Sequence, residues 1–132
     1  MAYPQLTDKP GALATSAAIR AGKMSVAEAV DAAVTRVEKF DAAIDALAVP
    51  NFEAAYAEAR ALDAAGPRDD QPLFGVPMTI KESFDVAGMR TSWGDPALRD
   101  NVARRDALAV ERLEAAGAIV FGKTNVPLML AD

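Results

Sequence analysis

Cysteine and histidine are both absent from the 132-residue chain. Without cysteine there are no disulfides, thiolate nucleophiles or thiolate metal sites, and without histidine the usual general base and the commonest transition-metal ligand are missing. Acid–base chemistry here falls to Lys, Asp, Glu or Tyr. Aromatic residues make up only 6% of the chain, and its 52% hydrophobic content is swollen by alanine, which favours helix. Surplus basic charge is also missing: 14 Lys+Arg against 19 Asp+Glu give a net charge of −5. The one basic cluster, Arg99 with Arg104 and Arg105, is interrupted by Asp100 and Asp106, so nucleic acid is not an expected partner. No apolar run approaches the roughly 18 residues that span a bilayer. The opening MAYPQLTDKPG has neither a basic n-region nor an apolar h-region, which makes a cytoplasmic address without a membrane partner the expectation. A chain of this length suits one soluble domain or a portion of a larger one.

Residues 11–21 are rich in helix formers and end at Gly22, which readily takes the left-handed conformation that closes a helix. Ser25 and Glu28 have the spacing of a capping box, and Val26, Val30, Val34, Val37 and then Phe40 form an apolar stripe at helical spacing. Residues 46–49 read as a short strand stopped by Pro50, with Asn51 able to cap a third helix through Phe52, Tyr56, Ala59 and Leu62. The polar stretch 67–71 reads as a linker between a mainly helical half, 1–66, and a second half, 72–132. In that second half 76–80 is branched and strand-like, Asp106 can cap a helix through Val110 and Leu113 to Gly117, and 118–121 is a buried strand. Both strands are continuously apolar, the pattern of strands covered on both faces. Strand, helix, strand implies a parallel pair. The expected fold class is α/β: N-terminal helices followed by a βαβ portion of a larger mixed or parallel sheet.

Lys81 follows the first of these strands, at the end where open α/β sheets place their ligand crevices. A lysine there is commonly a solvated charge; a functional lysine needs burial, which disfavours its charged form and lets it accept a proton. Such a lysine can activate serine as histidine does in other hydrolases. Glu82 reads first as a solvated carboxylate, with pairing to the lysine or capping of a turn as alternatives. Gly117 with Gly122, Lys123 and Thr124 has the spacing of a phosphate-binding loop, but a strand lies where the cradle should be. Asp69 and Asp70 lack a third oxygen ligand at metal spacing, so no metal site is expected.

The run GVPMTIKESFDVAGMRTSWG followed by DALAVERLEAAGAIVFGKTNVP resembles the amidase signature family, serine hydrolases that cleave carboxamides with a Ser–cis-Ser–Lys triad. Three blocks in order carry the resemblance: G-V-P-x-x-x-K-E, the turn of Gly88, Thr91 and Gly94, and A-G-A-x-x-x-G-K-T-N ending at Asn125. It implies that Lys81 is the triad lysine, that Met129, Leu130 and Ala131 form a wall of the acyl pocket, and that the substrate is a small amide, with no cofactor. It also implies two catalytic serines in a Gly/Ser-rich loop beyond the K-T-N block, and these 132 residues contain no such loop. Ser16 and Ser25 belong to the helical half and Ser92 to a turn; Ser83 shares a side with Lys81 only if the strand continues. The expectation is an N-terminal amidase segment that supplies the lysine, is inactive alone, and self-associates or pairs with a downstream segment. The alternatives are a non-enzymatic α/β interaction module and a P-loop-like nucleotide binder.

Overall fold

A computed structural model of the chain describes residues 11–131, so the reading of the first ten residues lies outside the described range. Helix α1, Ala12–Arg20, ends at Gly22, which takes φ 66°. Helix α2, Val26–Ile44, starts at the expected capping box: Ser25 Oγ accepts from the Glu28 amide at 3.1 Å while the Ser25 amide donates to Glu28 Oε2 at 2.7 Å. Two more free amides of its first turn, those of Val26 and Ala27, donate to the Asp63 carboxylate at 2.7 and 3.0 Å. Asp63 lies on α3, Phe52–Ala65, so this cap also fixes how the two helices pair.

Three strands form one sheet in the order β1-β3-β2, where β1 is Leu47–Pro50, β2 is Pro77–Lys81 and β3 is Ile119–Thr124. The expected parallel pair is β2 with β3, and α4, Leu108–Ala115, lies between them in sequence. β1 runs antiparallel to β3, which makes the sheet mixed. The stretch 67–71 therefore does not separate independent halves, because β1 from the first half pairs with β3 from the second. Gln71 is buried and its carbonyl, like that of Arg68, accepts from Arg20 Nη2.

β3 is buried along almost its whole length because it is central, and its alternating side chains feed two cores. Ile119 and Phe121 pack with Ile19, Val26, Val30 and Phe74 under the first three helices, and Phe52 stacks on Phe121 at 6.5 Å. Val120 packs on the other face with Ile80, Val86, Met89 and Val110. Several expectations need correction. The α2 stripe is buried only through Val34; Val37 is half-buried and Phe40 is 48% exposed. Asn51 stands at the start of α3 without capping it: its side-chain amide donates to Val120 O at 3.0 Å, which ties the helix to β3. Asp106 likewise leaves α4 uncapped and accepts the Ala87 amide at 2.6 Å. β2 is not covered on both faces, since Pro77, Met78 and Thr79 are only half-buried on what is an edge strand.

Candidate functional site

Lys81 is the last residue of β2, opposite Thr124 on β3, and it is exposed. The strand stops there because the chain turns: the Phe84 amide donates back to Lys81 O at 3.0 Å, while the Glu82 amide donates to Thr124 O at 3.1 Å. Ser83 thus sits in a turn rather than on an extended strand, and the geometry that would have faced it with Lys81 does not form.

Glu82 reverses its sequence reading. It is 1% exposed, and its carboxylate accepts from the Ser92 amide at 2.5 Å, the Ser92 hydroxyl at 2.8 Å and the Trp93 amide at 2.9 Å. Three converging donors offset much of the cost of burying a charge. The Trp93 indole closes the other side of the same turn, donating to Ser83 O at 3.1 Å.

Among the described residues Lys123 is the fully buried lysine, with no exposed surface. Its position depends on a β-bulge. Met78 faces Val120, but the next β2 residue, Thr79, faces Gly122, so two β3 steps match one β2 step. A one-residue offset in a period-two strand switches the faces that follow, and Lys123 comes to lie beside Ile80, on the Val86 side of the sheet. Gly122, at this bulge, is also where β1 closes on β3: a Cβ there would lie 2.7 Å from Leu47 Cδ1 and 2.9 Å from Val49 O. The Lys123 ammonium donates to Arg90 O and, at 2.7 Å, to Thr91 Oγ1. Burial lowers its pKa below the usual lysine value, and the nearby Glu82 and Asp85 carboxylates offset some of that effect. This placement also removes the phosphate-loop reading: residues 119–124 are strand, and the lysine ammonium is enclosed and already bonded.

Residues 128–130 form a short 3₁₀ turn beside this loop. Met129 and Leu130 take φ 52° and 60°, Trp93 takes φ 55°, and the Met129 amide donates to Trp93 O at 2.7 Å. Three non-glycine residues in the left-handed region within one patch mark a strained site. Gly94 permits the approach, since a Cβ on it would meet Pro127 O at 2.8 Å. Met129 is 54% exposed, Leu130 half-buried and Ala131 exposed. Hydrogen bonds from Met129 to Trp93 and from Trp93 to Ser83 bring this segment to the turn that follows Lys81. Beside the same turn a cleft of about 220 Å³ is lined by Glu82, Arg90, Ser92, Gly94, Arg99 and Asn125, among others. Asp69 and Asp70 are exposed, and no group of three metal-ligating side chains occurs among the described residues. Sequence reading missed both buried charges, Glu82 and Lys123; their only signal was membership in the K-E and G-K-T-N blocks.

The three-stranded mixed sheet with its flanking helices defines an α/β fold, and Lys81 and Lys123 lie at or near the C-terminal ends of its two parallel strands. The family model described as Amidase matches residues 28–131, and the chain belongs to that family. It is 43% identical over 112 residues to the A subunit of glutamyl-tRNA(Gln) amidotransferase from Oleidesulfovibrio alaskensis, covering 85% of this chain and 23% of that protein. Among solved structures, the native peptide amidase from Stenotrophomonas maltophilia superposes with a TM-score of 0.83 at 30% identity, covering 95% of this chain and 26% of that one. A 6-aminohexanoate cyclic dimer hydrolase superposes with a TM-score of 0.79 at 28% identity, covering 91% and 24%. The chain thus spans about a quarter of the length of these proteins.

Proposed function

We propose that these residues are the N-terminal portion of a single amidase-signature domain and that Lys81 is the proton-transfer residue of its Ser–Ser–Lys triad. The observation that carries this reading is the placement of Lys81 at the C-terminal end of β2, exposed, on a turn whose neighbours are clamped. Both serines come from sequence beyond the matched blocks. In the complete enzyme the unprotonated amine of Lys81 takes the proton of the nucleophilic serine through the bridging serine. The serine oxygen bonds to the amide carbon, and the C–N bond breaks as the proton passes to the departing ammonia or amine. Water then cleaves the acyl-enzyme and frees the carboxylic acid. Met129, Leu130 and Ala131 line the acyl side of the pocket; their exposure and their tie to Trp93 support that role. The substrate is a small carboxamide, the reaction needs no cofactor, and the setting is cytoplasmic.

The test has two arms. Purified chain 1–132 hydrolyses aryl and aliphatic amides no faster than buffer. In a complete amidase carrying these residues, Lys81→Ala lowers kcat/KM by about 10²–10⁴-fold with little change in melting temperature. Lys81→Arg fails as well, because guanidinium stays protonated. Wild-type turnover in either variant returns Lys81 to the surface.

A further inference from the structure

Two buried groups of opposite charge, Glu82 and Lys123, are not partners of each other. No ion pair forms between them; both bond instead to the loop 90–93. That loop presents its groups in opposite senses. At its base Arg90 O and Thr91 Oγ1 need donors, and at its tip the Ser92 amide, Ser92 hydroxyl and Trp93 amide need an acceptor. Thr91 and Ser92 are buried, so these groups need partners, and a charged donor below and a carboxylate above give the stronger bonds. Lys123 projects from β3 beside Ile80, the residue before Lys81, and Glu82 is the residue after it. The two clamps therefore bracket Lys81 along the chain, and the Glu82 clamp, together with the bonds of Trp93 to Ser83 O and from the Met129 amide, holds Trp93 at φ 55°. A left-handed tryptophan costs about 1–2 kcal/mol and persists only where its surroundings over-determine it.

We infer that Glu82 and Lys123 are positioning residues for the amidase reaction, locking loop 90–93 onto the end of β2 so that Lys81 and Trp93 are presented in fixed relation. This rests on the reading of Lys81 as the proton-transfer residue. A core role alone would be met by apolar side chains of similar volume, which leave no such directional grip on a loop. Trp93 becomes the aromatic edge of the site, fixed by its own amide, its indole N–H and its carbonyl.

The chain contains a single tryptophan, which makes the lock readable. Glu82→Gln keeps an oxygen toward the two Ser92 donors but sets its amide NH₂ against the Trp93 amide, so in the isolated chain Trp93 emission shifts to the red and the Trp93 amide exchanges faster. In a complete amidase carrying these residues, the same substitution lowers kcat per titrated active site by about 10²-fold, the scale of a small misplacement of a reacting group. KM changes by no more than about twofold, since the loss lies in the reacting geometry. A merely structural role would lower the yield of folded enzyme and leave kcat per site untouched. Should Glu82→Gln not fold, Ser92→Ala and Thr91→Val each remove one contact of one clamp, and each lowers kcat by a smaller factor. Wild-type kcat in these variants, or an unshifted Trp93 spectrum in Glu82→Gln, while Lys81→Ala is inactive, overturns the positioning role alone. Wild-type turnover in Lys81→Ala instead removes the reading beneath it.

Discussion

Lys123→Met is the sharpest probe of how this sheet end is built. Methionine matches the length of the lysine stem but donates nothing, so Arg90 O and Thr91 Oγ1 both lose their ammonium donor. The buried Thr91 Oγ1 left unpaired costs about 1–3 kcal/mol and the part-buried Arg90 O up to about the same, and the apolar methionine tip recovers about 1–2 kcal/mol. The net loss is about 3 kcal/mol. An unfolding entropy of about 2.1 cal/mol/K per residue over 132 residues gives about 280 cal/mol/K, so the melting temperature falls by about 11 °C. The pH dependence supplies a second readout. Burial lowers the folded pKa of Lys123 below the ordinary lysine value of 10.5. Between the two values the unfolded chain binds a proton that the folded chain has released, so the contribution of Lys123 to stability rises with pH up to about 10.5. Denaturant midpoints measured for both proteins across the alkaline range should diverge, the wild type gaining on Lys123→Met. A variant melting within about 2 °C of wild type, or a gap that narrows with pH, would refute the account of Lys123 as a desolvated, bonded cation.

Gly122→Ala forces a methyl against Leu47 and the Val49 carbonyl; overpacking of this kind costs about 1–3 kcal/mol, and equal denaturant midpoints for variant and wild type would show that β1 shifts freely. Val30→Ala empties a fully buried site under the helices. Two lost methyl groups at about 0.8 kcal/mol each, plus the cavity, predict about 2 kcal/mol by chemical denaturation, and a loss under half of that would mean the core closes over the gap. The open edge of β2 and the exposed Phe84, Trp93, Leu128 and Met129 predict strong binding of a hydrophobic dye or self-association by the isolated chain. A sharply melting monomer that binds no dye is the contrary result, and it would favour a self-contained module.

What the sequence determined by itself is local or periodic. The capping box at Ser25, the valine stripe through Val34, the glycine that ends α1 and the apolar run of β3 are each set by residues within a turn or two of one another. All four stand in the structure. The β2–α4–β3 order follows from the same kind of signal. Only the tertiary structure decided the electrostatics of the site. Lys81 and Glu82 are chain neighbours, and the residues alone read first as two solvated charges, with burial of the lysine required only by its functional reading; the fold leaves Lys81 exposed and buries Glu82. The reason is that the donors which stabilise a buried Glu82 arrive from Ser92 and Trp93, ten and eleven residues away, on a loop whose course no periodicity encodes. Lys123 shows the same dependence. In a regular strand its side chain would point to the opposite face, and the bulge that redirects it lies in the pairing of β3 with β2, at a point where β1, a strand some seventy residues nearer the N-terminus, closes on Gly122.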